Sequence, residues 1–300
     1  MTFVTLGAGT SARADAASEL AAFPGFKDVK VESLTGGEIK AVPSPLMRFS
    51  RGISVQTAFV IQGPVKDVAR GIASWSGVRH GDLKVYLHEG VSKGGFAKIG
   101  TLSNSSYKNF LKASGQGTSG VQVSKAEAEE LRGPDGPGAW SKILQARASG
   151  GGSGVYDTAG GAITARGDAR SLINDNPFLS KQFPSLVGLP PGSPYWEFFD
   201  VQGTGAVNIG SITSKAGAGG SVQILDWQYY ASGGFYTNII FYQLWPVQVN
   251  GKEATLVWRG DFLSVPDSAN SRGMERLAAT MIMLQEIKKV ASYLQQDLKK

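Results

Sequence analysis

Apolar and polar positions alternate with a period of two along five stretches in the second half of the chain: Tyr195–Val201, Ala206–Thr213, Val222–Tyr230, Phe235–Pro246 and Ala254–Leu263. That periodicity predicts strands. The intervening Gly203-Thr204-Gly205, Lys215 to Gly220, Ser232-Gly233-Gly234 and Asn250-Gly251 read as turns. Asn250-Gly251 is the sharpest of these, because a two-residue hairpin turn of type I′ needs positive φ at both central positions. Consecutive strands joined by short turns form an antiparallel meander. Phe235–Trp245 is unusual in being large on both faces. One face carries Phe235, Ile239, Phe241 and Trp245, and the other Tyr236, Ile240, Tyr242 and Leu244. Such a strand is covered on both sides, or covered on one and lining a cavity on the other.

The period then changes. From about Arg272 to Leu298, apolar residues fall three and four apart (Leu277, Met281, Leu284, Ile287, Ala291, Leu294, Leu298). This predicts one amphipathic helix of roughly 40 Å. Asp267, Ser268, Asn270 and Ser271 are its N-cap candidates. The expected role of the helix is to cover the sheet.

In the first half, residues 29–42 read as a hairpin around Thr35-Gly36-Gly37. Ile53, Val55, Thr57, Phe59 and Ile61 form a clean alternating strand, ended by Gly63-Pro64. Pro64 suits a helix start, and Val65, Val68, Ile72 and Trp75 share one helical face. Leu83 to His88 reads as a further strand. Ser124 and Glu127 spell a capping box that opens a short helix, Lys125 to Leu131, and Trp140 to Ala148 suggests another. Residues 149–170 are rich in Gly, Ser and Ala and read as a mobile surface loop or, alternatively, a domain linker, and 171–194 as irregular. The predicted fold class is α+β: an antiparallel sheet packed on a long C-terminal helix, with a large helical and loop insertion at about 90–194. Residues 17–300 form a single domain in this reading.

Composition narrows the classes. A hydrophobic fraction of 42% with 18% charged residues is that of a chain with a real core. The formal charge is +6, but Lys and Arg are scattered, so no nucleic-acid partner is predicted. The absence of cysteine excludes disulfides, thiol nucleophiles and thiolate metal sites. No apolar run is long enough for a transmembrane helix. Residues 1–16 have two readings, a signal peptide with an A-x-A site at Ala14-Asp15-Ala16, or a disordered tail. The first implies a periplasmic or secreted protein, the second a cytoplasmic one.

The order of strand Ile53–Ile61, helix Pro64–Trp75, strands Tyr195–Leu263 and helix Arg272–Leu298 resembles the START-like, or helix-grip, superfamily. The resemblance covers roughly half the chain and rests on element order. It implies a sheet curled around the C-terminal helix, enclosing an apolar cavity for lipids, sterols or other hydrophobic ligands; some members are cyclases or hydrolases.

Candidate chemistry is sparse. Gly90-Val91-Ser92-Lys93-Gly94 matches G-x-S-x-G, but the residues after it are a poor helix start for a nucleophile elbow. The two histidines, His80 and His88, make a weak metal site without further ligands, so no metal and no cofactor is predicted. A Ser92–His88–Asp82 triad exists only on paper. Asp200, Asp226, Arg259 and Asp261 lie in aromatic-rich strands, and a buried charge there needs a partner. Arg259 is expected to pair with Asp226 or Asp200, as a structural bridge or as a ligand anchor. The tripeptide Arg259-Gly260-Asp261 sits inside a strand and is not a display motif. Tyr229, Tyr230, Phe235, Tyr236, Tyr242 and Trp245 form an aromatic cluster, read as core, cavity wall or outward platform. The expected ligand-binding residues are Asp226, Tyr230, Tyr236, Tyr242, Trp245 and Arg259, around a hydrophobic small molecule. An enzyme of the same architecture and a subunit of a surface assembly are the alternatives.

Overall fold

Strand β2 (Gly52–Gln62) is buried along nearly its whole length, because its two faces meet different layers. Ile53, Val55, Phe59 and Ile61 pack on the side of the C-terminal helix, and Ala58 and Val60 on the other. The computed structural model describes residues 16–92, 95–266 and 273–299. The candidate leader apart from Ala16, Lys93 and Gly94 of the G-x-S-x-G stretch, and the N-cap candidates Asp267 to Ser271 lie outside them.

The fold is α+β, built on an eight-stranded antiparallel sheet. Its strands are β1 (Lys40–Pro43), β2, β3 (Val85–Gly90), β6 (Ser193–Val201), β7 (Thr204–Ala216), β8 (Val222–Ala231), β9 (Thr237–Val249) and β10 (Lys252–Ser264), in the order β1-β2-β10-β9-β8-β7-β6-β3. The meander from β6 to β10 follows the alternation in the sequence, and Asn250 and Gly251 both have positive φ at the β9–β10 turn. A second, two-stranded sheet pairs β4 (Val155–Thr158) with β5 (Gly161–Thr164).

One face of the large sheet carries α3 (Val65–Ala73) and the long C-terminal helix α9 (Met274–Asp297). Val65, Val68, Ala69 and Ile72 of α3 meet Ala291 and Leu294 of α9 over Ile224, Ile240, Tyr242 and Val257. The expected stripe on α9 is displaced at its start. Thr280, Met283 and Leu284 turn inward, and Leu277 and Met281 remain 51% and 42% exposed. Trp75 and His80 both hold Asp297 near the last turn of α9, at 2.8 and 2.9 Å. This ties the end of the helix to the segment after α3.

The opposite face is covered by α1 (described over 16–21), α2 (Val31–Thr35), α4 (Ser105–Ser114), α5 (Lys125–Leu131), α6 (Gly136–Gly150), α7 (Ala165–Asn174) and α8 (Pro177–Gln182). The capping box of α5 forms as expected, with Ser124 and Glu127 each taking the other's backbone N–H. Three expectations need correction. Residues 29–42 are no hairpin: Val31 and Leu34, three apart, bury one face of α2, and only Lys40–Pro43 is extended. Residues 149–170 are a hairpin running into α7, and 171–194 hold the rest of α7 and α8. Low apolar content concealed the first segment, where Ala165 and Ala169 are fully buried, and punctuating prolines concealed the second, where Leu172, Ile173, Leu179 and Phe183 are buried. Asp168 of α7 accepts from Arg51 at 2.5 Å and from Ser264 at 2.5 Å, which fastens the insertion to the sheet.

Candidate functional site

Strand alternation sends Tyr195, Glu197 and Phe199 of β6, Asn208 and Ile212 of β7, Asp226 and Gln228 of β8, Asn238, Ile240 and Tyr242 of β9 and Arg259 of β10 to one face of the sheet. With His88 of β3 they floor a cavity of about 420 Å³. Ile72, Trp75, Leu83, Ile287, Val290 and Leu294 form its apolar roof, from α3, α9 and the segment between α3 and β3. Among the described residues, none between 91 and 194 lines it, and the insertion packs on the opposite face of the sheet.

The floor is a chain of hydrogen bonds. Asn238 Nδ2 donates to Gln228 Oε1 (3.3 Å), Gln228 Nε2 to the Tyr195 hydroxyl (3.2 Å), and that hydroxyl to Asp226 Oδ1 (2.8 Å). On the β3 side, His88 Nδ1 lies 2.8 Å from Glu197 Oε1, and Glu197 Oε2 accepts from Asn208 Nδ2 at 3.0 Å. The His88 ring stacks on Tyr195, centroids 5.1 Å apart. Gly210 makes room for this: a Cβ there would lie 2.7 Å from the Tyr195 ring. At the other end, Arg259 holds Asp261 through both Nε (2.8 Å) and Nη2 (2.6 Å), and its guanidinium lies 5.4 Å from the Tyr242 ring centroid.

Electrostatics single out Asp226. Burial pushes its carboxyl up to about 7, against the Tyr195 hydrogen bond, which favours the charged form. Burial raises the Tyr195 hydroxyl well above its ordinary value, aided by the charges of Asp226 and Glu197. For His88, burial alone would lower the pKa, but the hydrogen bond and charge of Glu197 outweigh it and the net shift is upward. The side-chain oxygens of Asn208 and Asn238 are buried without a hydrogen-bond partner.

A pH dependence follows. The folded Asp226 carboxyl binds its proton more tightly than an unfolded one near 4. Its contribution to stability is therefore full below about pH 4 and lost as pH rises through about 7. Relative to Asp226→Asn, the wild type is expected to lose on the order of 4 kcal/mol across that window. Urea midpoints of both proteins at either end check this, and parallel profiles would contradict it.

Of the six residues singled out from the sequence, Asp226, Tyr242 and Arg259 line the cavity. Tyr230, Tyr236 and Trp245 lie on the opposite face, in the core shared with the insertion. An extra residue in β8, Tyr229, bulges opposite the Ile209–Gly210 step of β7 and turns Tyr230 away from the face of Asp226. Tyr236 precedes β9 and belongs to the turn, where alternation does not hold, so Phe235 reaches the cavity in its place. Arg147, bound to Glu127, lies over both Tyr156 and Tyr230, and Tyr156 donates to the Tyr236 carbonyl. Trp245 donates to Glu19 of α1.

The expected partners of Arg259 are also corrected. Asp261, two positions along the same strand, projects to the same face and takes the guanidinium fork, whereas Asp226 takes the Tyr195 hydroxyl and Asp200 takes Ser106 and Lys84. The paper triad does not assemble, since His88 holds Glu197 and Asp82 accepts from Tyr293. The cluster of Tyr229, Tyr230, Tyr236, Tyr242 and Trp245 is buried and offers no outward platform. Tyr195, Glu197, Asn208, Gln228 and Asn238 were not singled out. Their signal was there: amides and carboxylates at period two inside strands that are otherwise aromatic and aliphatic.

Among the described residues, no cluster of three or more His, Asp and Glu side chains could hold a metal ion, and no helix is long and apolar enough to cross a membrane. No protein-family model matches the chain, and no curated protein matches it.

Proposed function

We propose that the protein is a binding module for a hydrophobic, lipid-like small molecule, held between the sheet and the C-terminal helix in a helix-grip arrangement. The observation that carries this reading is the cavity itself. At about 420 Å³ it is of ligand size, with an apolar roof and a small set of hydrogen-bonding groups converging on its floor. A long helix lying across an antiparallel sheet, with the cavity beside it, supports the likeness to helix-grip proteins. Native mass spectrometry followed by organic extraction tests the reading. It expects an adduct of lipid or isoprenoid mass, or rebinding of such a molecule to the stripped protein. Failure of both would contradict it.

One observation favours a second reading, acid–base catalysis in the same cavity. Tyr195 and Asp226 are buried titratable groups within hydrogen-bond reach, and the carboxyl is poised near neutrality. A hydrolase or cyclase working this way would lose its turnover in Asp226→Asn while keeping ligand affinity. Unchanged turnover in that variant would exclude the reading.

A further inference from the structure

The charged groups of the cavity are matched in pairs, with one exception. Glu197 has His88 at 2.8 Å, Arg259 has Asp261 at 2.6 Å, and Glu286 at the rim has Lys289 at 3.0 Å. Asp226 is in contact with no cation among the described residues. Its hydrogen bond comes from the neutral Tyr195 hydroxyl, received on Oδ1. Arg259 acts on Asp226 only at longer range, and Glu197 and Asp261 oppose that effect. His88 feels the charge of Asp226 but is bound to Glu197. The remaining neighbours along the strands, Ile212 and Ile240, are apolar.

A second observation points the same way. The Oδ1 atoms of Asn208 and Asn238 are acceptors without donors, and these residues are only 2% and 8% exposed. Both line the same floor. A buried acceptor left unmatched is costly, so such groups ask for a donor. The floor thus offers an uncompensated carboxyl and two spare amide oxygens in a protein whose formal charge is +6. An anionic head group would meet Asp226, Glu197 and Asp261 with both bases already engaged.

We infer that the ligand is a hydrophobic amine, whose ammonium head ion-pairs with the Asp226 carboxylate at the cavity floor and whose chain lies under α3 and α9. This rests on the ligand-binding reading above and specifies its chemical class. An ammonium supplies both the missing charge and N–H donors, and the apolar roof supplies the chain's surroundings. Binding favours the ionised carboxylate and releases a proton, so affinity rises with pH through the range where Asp226 titrates, near 7.

The test compares decylamine, decanol and decanoate on the full chain by isothermal titration calorimetry, with Asp226→Asn in parallel. The expected order places decylamine at least about tenfold tighter than the other two, with its affinity rising from about pH 6 to about pH 8. In Asp226→Asn that preference disappears while decanol binding is retained, which also reports that the variant is folded. Decanol or decanoate binding as tightly as the amine, or an undiminished amine preference in Asp226→Asn, would overturn the amine class and leave the cavity reading standing. Binding of none of the three would overturn both.

Discussion

Asp261→Ala is expected to destabilise the protein by about 3–5 kcal/mol, the usual cost of leaving one partner of a buried ion pair alone. Asp261 is fully buried and Arg259 is 5% exposed. Two parallel hydrogen bonds join them within one strand, so the fork is held without crossing to another element. Removing the carboxylate strands a buried guanidinium beside the Tyr242 ring, where it cannot deprotonate. Burial opposes the charge on Arg259, and Asp261 is the main compensation, leaving its pKa raised. The double variant Arg259→Met/Asp261→Leu is expected to recover most of the loss, since matched apolar replacements of buried pairs are often tolerated. Urea unfolding of the three proteins measures both effects. A loss under about 1 kcal/mol in the single variant would mean that the pair is hydrated and weak.

Phe198→Ala is expected to cost a further-reaching 3–5 kcal/mol or so, through lost burial and the cavity left behind. Phe198 is fully buried at the joint between sheet and insertion. Its ring meets Phe110 and Tyr107 of α4 edge-on, with centroids 5.5 and 5.9 Å away, and approaches Tyr86 of β3 at 6.2 Å. It lies over Gly205, where a Cβ would come within 2.1 Å of the ring tip. Because this ring belongs to a core continuous from β6 through α4 and α6, helix and sheet signals are expected to melt together in both wild type and variant. Two separated transitions, with only one shifted in Phe198→Ala, would show that the insertion is energetically independent of the sheet.

What could be read from the sequence depended on whether the cause was local. The strands of the meander, the Asn250-Gly251 turn, the Ser124–Glu127 cap and the helix after Pro64 were legible, because backbone chemistry and periodicity set them within a few residues. The split of Tyr242 from Trp245 onto opposite faces was legible for the same reason. Tyr230 and Tyr236 were not, because a bulge and a turn residue each reversed the alternation, and neither leaves a mark in hydropathy. The insertion was illegible around Ala165 and Ala169, small buried residues with little hydropathy signal, and at Asp168, which is buried by virtue of a partner 117 positions away. The bridge expected from Arg259 to Asp226 or Asp200 crosses strands, whereas single-strand geometry already places Asp261 on the same face. The polar floor of the cavity is a long-range product: His88, Glu197, Asn208, Gln228 and Asn238 come together only once the strand order is known.

Filling the cavity is the most direct test of its being a binding site. Val290 lies on the roof in α9, partly buried, and Val290→Trp places an indole in the space assigned to the ligand. Val155→Trp, at a 38% exposed position of β4 in the insertion, is the control. Equilibrium titration with the neutral apolar dye Nile red is expected to give one saturable site in the wild type and the control. In Val290→Trp the affinity is expected to fall at least about tenfold with the urea midpoint little changed. Dye binding that does not saturate in the wild type, or is unaffected by Val290→Trp, would contradict the assignment of the cavity as the ligand site.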